Sequence, residues 1–340
     1  MIRRPPRSTQ SRSSAASDVY KRQDWNGDGD PDQGVTMHLK VGGQGFFHYM
    51  AFSAPYVVLP YPGEPITKVT KYHNVYWFDP DTMEPLINSP GHVRALEKMI
   101  ELSKAGSSAM WGWSLGEAWA QFLSGKAMMV FSWGDVGSLA QDKTQSVIMG
   151  KWNARGLPGT KEPYSFEKKT FLKLDQPNLV AQQVGCSWHP VISKKAKEPE
   201  LAYYWMALMA TPSINHWMVS YGWTGVDPGT TYDYFPPEGK AKVEDYVAAG
   251  WDPSDAQAYA RAYADNFYKY PIWQTYLRIP GTTEMTNVSL DTHLSEAITG
   301  QVTPQEALDR TAADWKQIID EYGKDMLLKL YQESIGYAGE

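Results

Sequence analysis

The chain has 340 residues and a formal net charge of −6 at pH 7, and 42% of its residues are hydrophobic and 21% charged. These proportions are ordinary for a protein that buries a sizeable core, and the length allows one large domain or two lobes. No run of about 18 apolar residues occurs, so no segment is predicted to span a membrane. The single cysteine, Cys186, excludes an intrachain disulfide and a multi-thiolate metal site.

The first 23 residues differ in character from the rest of the chain. They are rich in arginine and serine and lack the apolar segment of a signal peptide. Residues 13–23 resemble, residue for residue, a translated transposase sequencing adapter. We therefore interpret residues 1–23 as an artefactual disordered tail, the alternative being a natural basic tail. Leaving out their six basic residues and Asp18 gives 26 basic and 37 acidic residues, a net charge of −11 that argues against nucleic-acid binding.

Residues 24–32 place oxygen-bearing side chains at alternate positions with a glycine sixth, like the first half of an EF-hand loop. The candidate calcium ligands are Asp24, Asn26, Asp28, Asp30 and Asp32. The twelfth position is Val35 instead of a bidentate glutamate, and residues 35–41 are predicted to form a strand instead of a second helix. Two interpretations stay open, a Ca²⁺ site and an Asx-rich turn that leads into a strand. No other cofactor is indicated.

A short helix followed by a strand is predicted between residues 114 and 131. Ser114 and Glu117 fit a capping box at the start of the helix, and Gly125 fits its left-handed stop. Residues 127–131 are an apolar run without polar alternation, which predicts a strand covered on both faces. Ligands collect at the carboxyl ends of such strands in open α/β sheets, so the residues that follow this run are candidates for ligand contact.

Further helix starts are predicted along the chain. Ser89 fits an N-cap with Pro90 at the first helical position, and Pro199 fits the same first position of a later helix. Thr303 and Glu306 fit a second capping box near the end of the chain.

The 14 Trp and 21 Tyr residues are the main chemical signal, because several lie beside glycine or proline instead of in helical stripes. An aromatic ring can cover the apolar C–H face of a sugar while a neighbouring carboxylate accepts hydrogen bonds from its hydroxyl groups. The candidate ligand-binding residues are Trp133, Asp135, Trp188, Tyr221, Trp223 and Asp227. The alternatives are core packing for each ring and, for Asp135, capping of a helix that begins at Val136.

Catalytic patterns are weak in this sequence. There is no Gly-x-Ser-x-Gly elbow, and Cys186 with His189 lacks the partners of a nucleophile or zinc site. Residues 42–45 are glycine-rich but lack the lysine of a phosphate-binding loop. Glu117, Asp135 and Asp227 suit glycoside hydrolysis by residue type only. The sequence therefore predicts a protein that is not an enzyme.

Four segments together resemble one protein family. They are Phe-x-x-Gly-Lys-Ala-Met-Met followed by Trp (residues 122–133), Pro-Leu-Ile-Asn-Ser-Pro (85–90), a chain of Ser-Lys-Lys, Pro-Glu-x-Ala, Thr-Pro-Ser and Gly-Trp-x-Gly (193–225), and Thr-Gly-Gln-x-Thr-Pro-Gln-Glu-Ala-Leu-Asp (299–309). This order is similar to that of the extracellular family 1 solute-binding proteins of ABC sugar importers, and it covers most of residues 24–322.

The resemblance implies an α/β fold, the two-lobed type II clamshell of periplasmic binding proteins, with most of its N-terminal lobe missing. Residues 24–180 are then the first part of the C-terminal lobe, 181–226 a segment that returns to the N-terminal lobe, and 227–340 the rest of the C-terminal lobe with the C-terminal helices. On this interpretation Tyr204, Trp205 and Leu208 lack part of their packing surface and form an exposed apolar patch.

The resemblance also implies a function. The protein is expected to capture a mono- or oligosaccharide for import without chemical change and to deliver it to an ABC permease in the membrane. It is expected to be a monomer in the periplasm or membrane-associated outside the cytoplasm, with no export signal in this fragment. The alternatives are a carbohydrate-active enzyme and a binding protein for another solute, such as a peptide or polyamine.

Overall fold

The computed structural model describes residues 23–24, 27–182, 190–221, 226–274 and 276–339, and helices predominate in them. In chain order the α-helices are α1 (Gly45–Val57), α2 (Pro90–Ser103), α3 (Leu115–Leu123), α4 (Asp135–Leu139), α5 (Pro199–Met209), α6 (Pro212–Ser220), α7 (Val243–Ala248), α8 (Pro253–Ala264), α9 (Asp291–Ile298), α10 (Pro304–Tyr322) and α11 (Lys324–Ile335). A 3₁₀ helix spans Ser108–Gly112, and π-helical turns span Asp265–Lys269 and Glu284–Leu290. Within the described ranges, none of the helices combines the length and the apolar character needed to cross a bilayer.

The strands are short and form two small sheets. β1 (Tyr164–Ser165) pairs antiparallel with β2 (Thr170–Phe171). β3 (Val180–Gln182) pairs in parallel with β4 (Ile272–Gln274), so this sheet joins segments that lie far apart in the chain.

The chain divides into two compact units, each described separately. Unit 1 contains residues 1–132, 157–183 and 270–340, and unit 2 contains residues 133–156 and 184–269. The lobe bounds that the resemblance implies, 24–180, 181–226 and 227–340, stay predictions.

The centre of unit 1 is α1, in which every residue except Phe47 is buried. A helix that is apolar on all sides belongs in the middle of a core. Its N-terminus is held by the buried carboxylate of Asp291, which accepts hydrogen bonds from the backbone N–H groups of Gly42 (2.7 Å) and Phe46 (3.0 Å). These bonds satisfy one amide in the first turn of the helix, that of Phe46, and one in the turn that precedes it, that of Gly42. Asp291 therefore ties the end of the chain to its central helix.

The C-terminal helices cover one side of this core. Trp315 on α10 is fully buried, its ring centroid lies 5.4 Å from that of Phe78, and its indole N–H donates to the carbonyl of Met285 at 2.8 Å. The capping box predicted for α10 is confirmed: the Glu306 carboxylate accepts from the Thr303 N–H at 2.8 Å, and the Thr303 hydroxyl accepts from the Glu306 N–H at 3.2 Å.

The prediction that residues 127–131 form a regular strand covered on both faces is wrong. Ala127 and Val130 form isolated parallel bridges with Gln33 and Thr36, and the ladder does not continue into a regular strand. Met128 is 49% exposed, so the segment is not covered on both faces. Residues 35–41, also predicted as a strand, contain one of these bridges, at Thr36, but no regular strand, and Val41 begins a turn. Apolar composition therefore did not predict the isolated pairing of this segment or its exposure.

The two predicted ends of α3, at Ser114 and at Gly125, are confirmed, whereas the N-cap predicted at Ser89 is wrong. The Ser114 N–H donates to the Glu117 carboxylate at 3.0 Å, as a capping box requires, and Gly125 has a φ of +76°. Pro90 begins α2 as predicted, but the Ser89 hydroxyl does not cap it; the Ser89 Oγ is buried without a hydrogen-bond partner in the described part of the chain.

Unit 2 is organised by an aromatic cluster. Tyr246, Trp251 and Tyr259 are buried together with Val219, with ring centroids 5.3 Å apart for Tyr246 and Trp251 and 4.9 Å apart for Trp251 and Tyr259. The partly buried Val226 packs against the same cluster. This cluster joins residues on both sides of position 227.

Candidate functional site

The candidate site begins where unit 2 begins, at the turn Trp133-Gly134-Asp135. Trp133 is half-buried, so its ring is neither enclosed in the core nor fully exposed. Asp135 is the first residue of α4, with Gly134 at the N-cap position. The helix predicted to begin at Val136 therefore begins one residue earlier, and Asp135 lies in its first turn without being its N-cap.

Gly134 is required by a very close packing contact. A Cβ atom placed on Gly134 would lie 1.9 Å from the hydroxyl oxygen of Tyr263 and 2.3 Å from its Cζ. Any other residue type would clash with this ring. The absence of a side chain therefore lets the Tyr263 hydroxyl lie directly against the backbone that leads into Asp135.

The Tyr263 hydroxyl group also contacts the second candidate carboxylate, that of Asp227. Tyr263, near the end of α8, donates a short hydrogen bond to Oδ1 of Asp227. The chain beside Asp227 is anchored by the next residue, because the carbonyl of Pro228 accepts a hydrogen bond from the Tyr234 hydroxyl at 2.6 Å. Tyr263 thus brings together Asp135 and Asp227, which are 92 positions apart in the sequence and are both half-buried.

Burial makes both carboxyl groups weaker acids. Removal from water, followed by the negative charge of Asp135, raises the pKa of Asp227 to about 7, although the Tyr263 hydrogen bond opposes the rise. Burial also raises the pKa of Asp135 above its ordinary value. Two nearby carboxylates that are partly removed from water do not ionise independently, so the pair retains a proton close to neutral pH.

The phenol that links them stays neutral. Burial, followed by the negative potential of its neighbours, raises the pKa of Tyr263 well above its ordinary value. Its hydroxyl therefore remains a hydrogen-bond donor to Asp227 across the physiological range.

Aromatic rings surround this polar group. The ring centroids of Tyr259 and Tyr263 lie 5.1 Å apart, and Tyr263 stacks on Phe267 at 6.1 Å. A Cβ on Gly137 would lie 2.6 Å from the Tyr259 ring, so α4 packs tightly on the same aromatic layer. Such surroundings have a low local dielectric, in which a hydrogen bond to a carboxylate is stronger than in water. The arrangement is suited to binding groups that donate hydrogen bonds, such as hydroxyl groups or amines.

Of the three other candidate ligand residues, Tyr221 is among the described residues and Trp188 and Trp223 are not. Tyr221 is 53% exposed at the end of α6, and its ring centroid lies 5.5 Å from that of Trp217, which is also 53% exposed. Trp188 and Trp223 lie outside the described residues, so their assignment stays a prediction.

Sequence reasoning missed Gly134 and Tyr263. The available signal was the spacing of Tyr259 and Tyr263, four positions apart and therefore on one face of a helix that begins after Asp252. The side chain of Asp252 caps this helix by accepting from the Ser254 N–H at 2.8 Å. Nothing in the sequence indicated that this face would meet Asp227.

The acidic turn near residue 24 adopts an Asx-type conformation. The Asp24 carboxylate accepts hydrogen bonds from the backbone N–H groups of Gly27 (2.7 Å) and Gly29 (3.0 Å). The Lys126 ammonium lies 3.0 Å from the Asp28 carboxylate, and Asp32 is only 3% exposed.

Calcium binding by this turn stays a prediction. Asp30 is exposed, and its N–H donates to the Asp28 carboxylate at 3.0 Å. Asn26 lies outside the described residues. Within those residues, no group of three or more histidine, cysteine, aspartate or glutamate side chains is positioned to hold a metal ion.

The fold is that of the periplasmic solute-binding proteins of ABC transporters, as predicted. The chain is similar to a solute-binding protein from Agrobacterium vitis S4 with bound D-mannitol (TM-score 0.61, 17% identity, covering 95% of this chain and 68% of the other). It is also similar to one from Agrobacterium radiobacter K84 in complex with ribitol (TM-score 0.59, 16% identity, 92% and 65%). A third is the T. maritima protein MalE3 with bound maltose (TM-score 0.58, 15% identity, 91% and 64%).

At these identities the likeness concerns the fold, and the chain spans about two thirds of the length of these proteins. No family model matches the sequence, and no curated protein matches it.

Proposed function

We propose that this chain belongs to the substrate-binding component of an ABC transporter and captures a carbohydrate for import without changing it chemically. The observation that carries the proposal is the similarity of fold to three solute-binding proteins that hold a polyol or a sugar. A membrane permease is then the partner, and the protein works outside the cytoplasm.

The site in unit 2 supports this proposal. Asp135 and Asp227 supply acceptors for sugar hydroxyl groups, and the half-buried ring of Trp133 supplies an apolar surface for a sugar C–H face. One such ring contact contributes about 1 kcal/mol beyond the burial of area. Micromolar binding requires about −8 kcal/mol in total, so a ring and several charge-assisted hydrogen bonds supply a large part of it.

A panel of ligands followed by calorimetry tests the proposal. We expect at least one of maltose, D-mannitol, ribitol and related sugars to raise the melting temperature, and the ligand to be recovered unchanged after incubation. In the titration, Trp133→Ala should weaken binding about tenfold, or about 1.4 kcal/mol. Trp111→Ala, which removes an indole that is 37% exposed in unit 1, is the control and should leave the affinity unchanged. Absence of sugar binding at millimolar concentration would refute the proposal, and so would formation of a product.

A second candidate ligand is a solute that carries an amine, such as a polyamine. It is favoured by the carboxyl pair, because the groups that act on the pKa of Asp227 in the described part of the chain are Asp135 and Tyr263, with no lysine or arginine among them. An ammonium ion would drive the pair to full ionisation and release its proton, whereas a neutral sugar would leave the proton in place. Titrations of spermidine and of the best sugar in buffers with different ionisation enthalpies distinguish the two, since only proton release makes the observed enthalpy depend on the buffer.

A further inference from the structure

Asp227 is the first residue of a segment of unit 2, residues 227–234, which we name the 227–234 turn. Pro228 follows Asp227, and the residue before a proline is restricted to extended backbone conformations. Pro228 and Tyr234 are both buried, and the Tyr234 hydroxyl donates to the Pro228 carbonyl at 2.6 Å. This hydrogen bond joins the last residue of the turn to the residue beside Asp227.

The buried carboxylate of Asp233 holds the middle of the 227–234 turn. Its Oδ2 atom accepts hydrogen bonds from the Thr230 N–H at 2.9 Å, the Thr230 hydroxyl at 2.8 Å and the Gly229 N–H at 3.3 Å. Hydrogen bonds to an ionised acceptor are stronger than those between neutral groups. Because the donors belong to the second and third residues after Asp227, these bonds fix the path of the chain as it leaves Asp227.

Neighbouring elements hold Asp233 itself in place. Nδ1 of His216, on α6, lies 3.3 Å from the Asp233 Oδ1, and the Asp233 backbone carbonyl accepts from the Tyr246 hydroxyl at 2.8 Å. Tyr246, on α7, belongs to the aromatic cluster of unit 2, and its ring centroid lies 4.9 Å from that of His216. The 227–234 turn is therefore attached to two helices and to the core of the unit.

We propose that Asp233 is a positioning residue of the candidate site, which sets the place of the Asp227 carboxylate through the 227–234 turn. Asp233 is 0% exposed, so it presents no surface to a ligand and acts through Asp227. The site requires this support, because the Asp227 carboxylate must meet the Tyr263 hydroxyl, and a binding group keeps its geometry only when the residues around it are themselves fixed. The consequence for ligand affinity rests on the proposed function, whereas the position of Asp227 does not.

Two variants of the full chain test the proposal. Asp233→Asn keeps the size of the side chain and one acceptor but removes the charge, and Tyr234→Phe removes only the hydroxyl group that donates to Pro228. Calorimetry with D-mannitol, maltose and spermidine measures affinity. We expect each variant to weaken, by about threefold to tenfold, the binding of any of these probes that the unaltered protein binds, because a small displacement of a binding group is enough to reduce affinity.

The titration of Asp227 gives a second measurement, which needs no ligand. Selective ¹³C labelling of aspartate carboxyl groups makes the Asp227 signal observable by NMR, and its loss in Asp227→Asn identifies it. Burial raises the pKa of Asp227 to about 7. In both variants this pKa should fall by about half a unit or more, since a displaced carboxylate regains water. Tyr234→Phe changes no charge, so it decides the question alone if far-UV circular dichroism shows that Asp233→Asn does not fold.

Asp142→Asn is the matched control. Asp142 forms the same kind of turn elsewhere in unit 2, where it accepts from the Thr144 N–H at 2.9 Å and from the Thr144 hydroxyl at 2.7 Å. Tyr268→Phe is the control for the loss of a phenol, since Tyr268 is 51% exposed. Both controls should leave the affinity and the pKa of Asp227 unchanged.

Two outcomes would overturn the proposal. One is a variant that loses thermal stability while the pKa of Asp227 stays the same, because the turn would then have a structural role only. The other is an equal fall of this pKa in the controls. If the unaltered protein bound none of the three probes, the proposed function would fail, and the titration of Asp227 would still decide whether Asp233 positions its carboxylate.

Discussion

Replacement of Asp227 by asparagine should stabilise the protein at pH 8. The ordinary pKa of an aspartate is 3.8, and burial next to Asp135 raises that of Asp227 to about 7 in the folded state. The folded protein therefore binds the proton more tightly than the unfolded chain, and its stability falls as the pH rises from about 4 to 7. Asparagine keeps an oxygen that accepts from Tyr263 but has no charge to desolvate.

The size of the expected gain in stability follows from the pKa shift of Asp227. About three pKa units correspond to an upper bound of about 4 kcal/mol, because each unit is worth 1.36 kcal/mol. Water reaches the half-buried group and Asp135 shares the proton, so we expect about 1–2 kcal/mol at pH 8. At pH 4.5 the gain should be smaller, since the carboxyl group in the folded protein is then protonated.

Urea unfolding of the variant and the unaltered protein at both pH values measures this difference, with the slope of the transition unchanged. The exposed residue Asp175 offers a control, because Asp175→Asn should change stability little at either pH. A variant at position 227 that is less stable than the unaltered protein at pH 8 would refute the reasoning, and so would an equal gain at pH 4.5 and pH 8.

Two further substitutions test contacts in the two units separately. Asp291→Ala should destabilise unit 1 by about 1–3 kcal/mol, because it leaves without an acceptor one backbone N–H in the first turn of α1 and one in the turn before it. Urea unfolding measures this, and Asp325→Ala at the start of α11 should cost clearly less. Gly134→Ala should weaken ligand binding in calorimetry at least tenfold by displacing Tyr263, whereas Gly116→Ala, which meets no atom within 4 Å, should leave the affinity unchanged; equal effects of the two alanine substitutions would contradict the role of Gly134.

Local rules in the sequence predicted helix ends well. The boxes at Ser114 and Thr303 and the first-turn prolines at Pro90 and Pro199 each depend on residues within one turn of the chain, and the structure confirms them. Such signals are reliable because the atoms that satisfy one another are supplied by the same short segment.

The sheet and the site could not be predicted in this way. Whether residues 127–131 form a regular strand depends on their pairing with residues 33–36, about 90 positions away, and the apolar run alone does not contain that information. The candidate site likewise depends on contacts between distant segments. The hydroxyl group of Tyr263, on α8, must reach the carboxylate of Asp227, which precedes α7, and the backbone of Gly134, which precedes α4. Trp133, Asp135 and Asp227 could be selected by residue type and position, but Tyr263 and Gly134 become meaningful only through the packing of three distant segments.

Asp227 and Asp291 both have strongly raised pKa values, but their surroundings differ. Asp291 has a structural role, whereas Asp227 is a candidate for ligand binding. Burial raises the pKa of Asp291 to about 6, but its two oxygens each accept a backbone N–H and only 3% of the residue is exposed. Among the described residues, Asp227 accepts a side-chain hydrogen bond from the Tyr263 hydroxyl, and it remains partly open to solvent beside a second acid. Lowering the pH from 7.5 to 5 should therefore relieve a desolvation cost at both residues and stabilise both, since each folded-state pKa lies above the ordinary value. Only at Asp227 does the proton occupy an acceptor that a ligand can use. Acidification should therefore weaken the binding of an amine there, whereas a neutral sugar, which leaves the proton in place, should bind with the same affinity at both pH values.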